Sequence, residues 1–565
     1  DDVWQGYGGI AIHPATGDAI ATWHQDDAVL GYGTTICYDD FALLNVPGFW
    51  SAYLFIPPPL PDEYIWPYLY VGPSPLGEDY VRVYHISKNY THNVFEHPCE
   101  NPRIMYIDIE NSLFTDMTVL LDLANWTEVI VMYEWREKDC RPLSQPFTID
   151  PNTPGKVTIM GYVSWLSGDL GDMPVEPGIF VWESYDYGET WDTANLHSSG
   201  SENIYFVDNI PGFIDNQGNI IDIIEVGVYG WHNTAVYDNE GALHLTYMQQ
   251  YGFTDATGSY YWPHFLPEAQ ATWDGTDFTF DEVPEMPGID PLSGHSVPWE
   301  IVTDPFSGEL DTLLYTTVGF SMYPGEANIF HENTQKNAIN FENGWILQMW
   351  ADGTYVQLAQ DGIPEYLPYL EHPIIFISVS SDNGNTWSEP IELTDIFDEY
   401  GEPTEFYDKI TVYPYVCDQI TDLGDDWGMV YIYYLDDNSF GSSVQGQGQN
   451  LGGQITYCSI KIKFPTIAVE PDNPHISELT LINYPNPFTS YTHISFSAPK
   501  GLNNPSIKIY NIKGELVKHL SIFNNQSSIE WDGKDSNNND VVSGIYLYKL
   551  ETDKGSITKK MLLSR

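Results

Sequence analysis

Two stretches of the chain, SYDYGETW (Ser184–Trp191) and SSDNGNTW (Ser380–Trp387), share the pattern S-x-D-x-G-x-T-W. The pattern describes a turn that closes on itself. Asp186 or Asp382 is placed to accept backbone N–H bonds, and Gly188 or Gly384 supplies a positive φ that a side chain would resist. Trp191 or Trp387 follows as a large apolar face that packs beneath the turn. Such a turn is a self-contained hairpin turn between strands.

Working outward from the turns, β-rich runs recur along the chain. The clearest are Asp18–His24, Tyr80–Ile86, Val157–Trp165, Ala242–Met248, Leu310–Thr317, Gly344–Trp350 and Gly428–Leu435. Each follows a shorter apolar run and is followed by a long polar loop. Composition agrees: 18 Trp, 40 Tyr and 25 Phe stand beside 46 Gly and 39 Pro. That balance suits many short strands joined by turns. The eight-residue turn resembles the Asp-box of sialidase-like propellers, which implies structural roles for Ser184, Asp186, Gly188, Trp191, Ser380, Asp382, Gly384 and Trp387. Seven strand units predict a seven-bladed β-propeller over residues 1–464. Six blades is the alternative, because the fifth unit lacks an obvious third strand. Radial repetition protects the strand edges of so β-rich a chain.

In propellers of this kind the Asp-box turns share one face, and the loops that follow each second strand gather on the other. Those loops are long here and carry Tyr260, Tyr261, Trp262, Tyr323 and Tyr355 beside Asp26 and Asp352. Aromatic faces stack on sugar rings and carboxylates accept hydroxyls or hold cations, so these residues are the candidate ligand-binding set. The competing reading is that the aromatics only pack the loops together.

Charge narrows the partners. There are 80 acidic residues against 21 basic, and residues 477–565 hold 8 acidic and 10 basic, leaving 72 acidic against 11 basic in the remainder. Such a surface repels nucleic acid and anionic membranes. No apolar run approaches the roughly 20 residues that span a bilayer. The resemblance to sialidases stops short of their chemistry. That family holds its substrate carboxylate with three arginines from separate blades, beside a Tyr/Glu pair and an Asp. The propeller region contains only Arg82, Arg103, Arg136 and Arg141, close together in sequence. Neutral-glycan hydrolysis needs two carboxylates about 5–10 Å apart, and with acidic residues this abundant no catalytic pair is nominated. His85, His92, His97 and Cys99 share a short segment but match no zinc spacing. No cofactor follows from the sequence; calcium is the cation that the acidic loops would suit. Five cysteines cannot all pair, and Cys99–Cys140 and Cys417–Cys458 are the bridges to consider.

Composition shifts near residue 465. A Pro-punctuated linker (465–476) leads to NYPNPF (Asn483–Phe488) and then a run of alternating strands through residue 565. These suggest a small immunoglobulin-like sandwich over 477–565. The pieces YPNPF, IYNIKGELV, WDGKD, VSGIYLYKL and KKMLL resemble the type A sorting domain of type IX secretion substrates. The resemblance implies export, followed by surface attachment or release, with the secretion machinery as a partner through 477–565. A chain that begins at Asp1 without an apolar leader fits a processed export substrate. The segment Asp535–Asp540 looks like the opening of a calcium loop, but Tyr546 stands where an EF-hand needs Glu. The expectation is therefore a secreted, non-catalytic protein for binding, adhesion or surface assembly, recognising a glycan, a surface protein or copies of itself. A glycan-cleaving enzyme on the long-loop face is the rival.

Overall fold

The computed structural model describes all residues except 1–4, 28, 40–47, 93–98, 132–139, 164–177, 201–221, 230–233, 256–257, 262–267, 283–287, 290–295, 298, 304–309, 315–335, 353–354, 357–358, 360–363, 365, 399, 441–448, 465–479, 485–487, 489, 498–505, 512–515, 523–527, 553–554 and 564–565. The chain is all-β and divides into two compact units, Asp1–Ile467 and Ala468–Arg565.

The first unit is a succession of antiparallel sheets. Sheet one holds β1 (Gln5–Ile12), β2 (Ala19–Asp27), β3 (Gly31–Tyr38) and β4 (Leu54–Ile56) in that order. Sheet two repeats the meander with β5 (Tyr64–Pro73), β6 (Tyr80–Asn89), β7 (Pro102–Glu110) and β8 (Thr127–Ile130). Sheet three does so with β9 (Cys140–Ile149), β10 (Val157–Val163), β11 (Gly178–Ser184) and β12 (Leu196–Ser198). In sheet four the inner position is shared by β13 (Asp222–Tyr229) and β14 (Ala235–Tyr237). Both pair with the long β15 (Leu243–Asp255), which also takes β16 (Gly258–Tyr261); β17 (Glu268–Trp273) and β18 (Phe278–Glu282) follow. Two hairpins come next, β19 (Gly288–Ile289) with β20 (Ser296–Val297), and β21 (Trp299–Thr303) with β22 (Leu310–Leu314). Sheet five is β23 (Lys336–Asn340), β24 (Trp345–Asp352), β25 (Ile374–Ser380) and β26 (Ile391–Glu392). Sheet six comprises β27 (Ile410–Val416), the short β28 (Thr421–Asp422), β29 (Trp427–Asp437) and β30 (Gly453–Lys463).

Successive sheets bury apolar side chains against each other. Ile20, Ile36 and Ile56 meet Leu69, Val83 and Met105 between sheets one and two. Leu347, Met349 and Ile377 meet Val430, Ile432 and Ile462 between sheets five and six. The expected fifth unit departs from this pattern. Its runs form the two-stranded β21–β22 hairpin, while sheets four and five touch directly. Val236 packs with Ile339 and Ile346, the Asn337 N–H donates to Thr234 Oγ1 at 2.9 Å, and Asn383 donates to Asn239 at 2.9 Å. Among the described residues no further sheet lies between these contacts.

The two S-x-D-x-G-x-T-W turns share one bonding scheme. Ser184 Oγ donates to Asp186 Oδ1 at 2.7 Å and accepts from the Gly188 N–H at 3.1 Å. Asp186 accepts from the Thr190 N–H at 2.9 Å and from its hydroxyl at 2.5 Å. Ser380, Asp382, Gly384 and Thr386 repeat each bond. Gly188 and Gly384 have φ of 81° and 78°. Trp191 sits half-buried against the core of sheets two and three, and Trp387 against that of sheets four and five. Cys417 and Cys458 are free thiols, so the Cys417–Cys458 bridge does not form, and of Cys140 only the backbone is described.

The second unit has two antiparallel sheets. One contains β31 (Thr480–Tyr484), β32 (Thr492–Ser497) and β35 (Ser528–Trp531). The other contains β33 (Ser506–Asn511), β34 (Leu516–Ser521), β36 (Gly544–Thr552) and β37 (Gly555–Leu563). Ile494 and Trp531 from the first meet Ile507, Tyr548 and Leu550 from the second in one core. In the Asp535–Asp540 loop, Asp535 Oδ1 accepts from the Asn537 and Asn539 N–H groups, both at 2.8 Å. The carboxylate is spent on its own turn.

Candidate ligand site

In each meander the turn from third to fourth strand lies at the same end as that from first to second. The loop from second to third strand lies at the other end, with the approach to the next sheet. At that end of sheets one and two the chain gathers Asp26 and Tyr32 from the β2–β3 hairpin, Glu63 just before β5 and Trp66 near its start, Lys88 from the end of β6, and Tyr90 and Glu100 from the β6–β7 loop.

Trp66 is the organising residue. The β5–β6 register shifts between Ile65 and Tyr68, and Trp66 occupies the bulge at φ 51°. A bulky residue in the left-handed region costs about 1–3 kcal/mol, and bulges of this kind re-aim a side chain. Here the indole is set edge-on to Tyr90, with ring centroids 5.5 Å apart, and Lys88 Nζ lies 5.3 Å from its centre. Tyr90 also meets Tyr32 at 6.0 Å and His92 at 5.3 Å. A polar scaffold holds this aromatic group. The Tyr90 N–H donates to the Glu63 carbonyl at 2.7 Å, the Glu63 N–H to Thr91 Oγ1 at 3.0 Å, and Asn89 to Asn101 at 3.0 Å.

Two carboxylates border the aromatics. Asp26 pairs across the hairpin with Tyr32. The Tyr32 phenol is held above its ordinary value, first by lost hydration and then by Asp26, Tyr90 and Glu63. Asp27, by contrast, turns its carboxylate onto the Val29 and Leu30 N–H groups. Lys88 is neutralised by Glu100 at 3.0 Å. The result is an aromatic surface edged by hydrogen-bond acceptors, with its lysine already paired.

The described arginines are committed elsewhere. Arg82 is buried between Asp108 at 2.7 Å and Glu189 at 3.0 Å and donates to the Tyr187 carbonyl of an Asp-box turn. Arg103 pairs with Glu128 and donates to the Pro57 carbonyl. Arg136 lies outside the described residues, and of Arg141 only the backbone is described.

A second polar group lines the interior, where innermost strands converge. Lys336 opens β23, with Nζ 5.6 Å from the centre of the Tyr415 ring. Burial lowers its ammonium to about 7, opposed by Asp418. Burial among protein atoms raises the Asp418 carboxyl to about 6, opposed by Lys336. Asp418 itself is solvent-exposed.

The residues nominated from sequence distribute unevenly. Asp26 lies in the site. Tyr355 does not join it: its ring packs on Tyr366 and Tyr369 at 5.1 and 4.9 Å, and its hydroxyl donates to Glu392 of β26 at 2.8 Å. That loop is folded onto the outer strand of sheet five. Tyr260 and Tyr261 end β16 opposite Phe253 and Gly252, and Asp352 ends β24 opposite Ile374; only their backbones are described. Trp262 and Tyr323 lie outside the described residues, as does His97. No metal-binding cluster of His, Cys, Asp or Glu occurs among the described residues. Trp66, Tyr32, Tyr90 and Glu63 were not nominated. Their signal was a repeated tripeptide, Trp66-Pro67-Tyr68 and Tyr413-Pro414-Tyr415, whose first residues share φ near 51–52° at inner-strand bulges.

Residues 483–564 match the family model of the secretion system C-terminal sorting domain. The tail is a type IX sorting domain. The sorting domain marks the chain for secretion to the extracellular space or the outer cell surface. No helix among the described residues is long and apolar enough to cross a membrane. No curated protein matches the chain by sequence. Among solved structures, the chain is similar to a Hadza microbial sialidase at 13% identity, over 81% of this chain and 66% of that one, with a TM-score of 0.30. It thus spans slightly less than two thirds of that sialidase. An α-L-arabinofuranosidase from Lactobacillus brevis aligns at 11% identity over 71% and 91%, with a TM-score of 0.25. A NanB sialidase variant from Streptococcus pneumoniae aligns at 11% over 94% and 68%, with a TM-score of 0.24. Likenesses this low carry no argument about chemistry.

Proposed function

We propose that the first unit is a six-bladed propeller that binds neutral glycan chains outside the cell, without cleaving them, and that the sorting domain delivers it there. The observation that carries this reading is the group formed by Tyr32, Trp66 and Tyr90 beside Asp26 and Glu63. Ring faces suit the apolar faces of sugars, and carboxylates accept sugar hydroxyls. A neutral ligand follows from charge: anionic sugars need unpaired guanidinium or ammonium groups, and Lys88, Arg82 and Arg103 are each paired with carboxylates.

The test is calorimetric titration of neutral oligosaccharides chosen from an array, with wild type and Trp66→Ala. Loss of at least roughly tenfold in affinity is expected, as for a central aromatic anchor. Unchanged affinity in Trp66→Ala, or no binding to any neutral glycan, sinks the assignment. One observation favours the rival hydrolase: the Asp418 carboxyl, raised to about 6, suits a general acid. Product release from neutral polysaccharides that disappears in Asp418→Asn would decide for the enzyme.

A further inference from the structure

Sheets four and five face each other through two polar rows. On sheet five, Asn337 of β23 lies opposite Gln348 of β24, and Gln348 lies opposite Ser378 of β25, so the three share one face. That face is turned toward sheet four, because Ile346, two residues before Gln348, packs on Val236. On sheet four, Thr246 of β15 lies opposite Gln270 of β17. The Thr246 hydroxyl accepts from the Thr234 N–H and donates to the Thr234 carbonyl, both at 3.1 Å. Gln270 reaches across, since a Cβ added at Gly384 of sheet five would lie 3.1 Å from its Nε2. All six side chains of the two rows are buried.

Several of these groups lack a partner. Both amide atoms of Asn337 and both of Gln348 have no hydrogen bond to any described residue, and neither do Gln270 Oε1 and the Trp350 indole N–H on the Gln348 face. Turning an amide over exchanges its oxygen and nitrogen and relieves neither Asn337 nor Gln348. Buried polar groups cost stability when left unbonded, and in folded proteins nearly all of them bond to protein or to ordered water. The atoms themselves define the missing partner. Three carbonyl oxygens need donors, while two amide nitrogens and one indole nitrogen need acceptors. A cation would serve the oxygens alone, and an anion the nitrogens alone. Only a molecule that donates and accepts at once serves both. Asn337 and Gln348 are 1% and 0% exposed, an enclosure that suits water and not a sugar ring.

We propose that the seam between sheets four and five is a binding site for internal water, held by Asn337, Gln348 and Gln270 and shared with Trp350. Each molecule bonds two or more of these side chains. The waters tie one sheet to the other beside the apolar contact of Val236, Ile339 and Ile346.

Oxygen-17 magnetic relaxation dispersion of water, recorded on the full chain, tests this by detecting internal molecules that exchange slowly. Asn337→Leu/Gln348→Leu keeps side-chain size and removes all four amide atoms. The dispersion amplitude is expected to fall by at least the share of a single internal water. The denaturant midpoint is expected to fall with it, because the partners that remain lose their bonds. If near-UV circular dichroism shows that the double variant has lost its fold, Gln348→Met, unbranched and of similar volume, takes its place. An undiminished amplitude in a folded variant overturns the proposal. So does a raised midpoint, the result for amides buried dry, since apolar groups of the same shape then replace unpaired polar ones. Neither readout involves the glycan site, which is tested by sugar affinity.

Discussion

At the residue scale the interior pair makes a pH prediction. Lys336 titrates near 7 in the folded chain against an ordinary 10.5, so between those values the unfolded chain holds a proton the folded chain lacks. Stability contributed at this position therefore rises as pH climbs from about 7 toward 10. Asp418 titrates near 6 against an ordinary 3.8, so the folded chain holds the extra proton between those values. Its contribution falls as pH rises from about 4 to 6. Thermal midpoints of wild type minus Lys336→Met, measured across pH, should climb above pH 7; a difference independent of pH would contradict the assignment. Neither residue was legible as special in the sequence, since one lysine among 11 basic residues has no local pattern that announces enclosure. Trp66 was hidden for a related reason. A positive φ at tryptophan is a consequence of the bulge, and only the Pro67 that follows it gives a local hint.

At the element scale the Asp-box turn is the most readable piece, because its bonding is contained within eight residues. The serine, aspartate, glycine and threonine of the pattern are the groups that bond one another. Gly384→Ala should destabilise by about 1 kcal/mol or more through its φ of 78°, read as a lower denaturant midpoint at constant slope. Asp382→Ala removes the acceptor of the Thr386 N–H and hydroxyl and should cost about 1–3 kcal/mol. Loops behave differently. The segment around Tyr355 is as aromatic as a sugar site, yet its phenols satisfy Glu392 and Asp395 on the outer part of sheet five. Composition cannot distinguish rings that face a ligand from rings that seal a loop; that depends on which carboxylates lie across the fold. The β21–β22 hairpin makes the same point for blades. Its apolar runs read as inner and second strands, but sheets four and five already satisfy each other's faces.

At the scale of the whole molecule the chain divides into two compact units, and they are chemically unlike. Among the described residues, Ile494, Ile507, Ile509, Trp531 and Tyr548 form the core of the second unit without any residue of the first. The charge divides similarly, with the acidic excess confined to residues before 477. Separate cores imply separate cooperative transitions, since cooperativity follows shared burial. Calorimetry of the full chain should show two, and salt should shift them differently. Screening relieves self-repulsion in the acidic unit, so its midpoint should rise with added salt, while the nearly neutral tail should respond little. Ile509→Ala identifies which transition is which. It removes a fully buried side chain from the tail core and should cost about 2–5 kcal/mol there. Only the salt-insensitive transition should fall. A single transition that moves as one in this variant would mean that the two units unfold together, and that the sorting domain contributes to the stability of the body it exports.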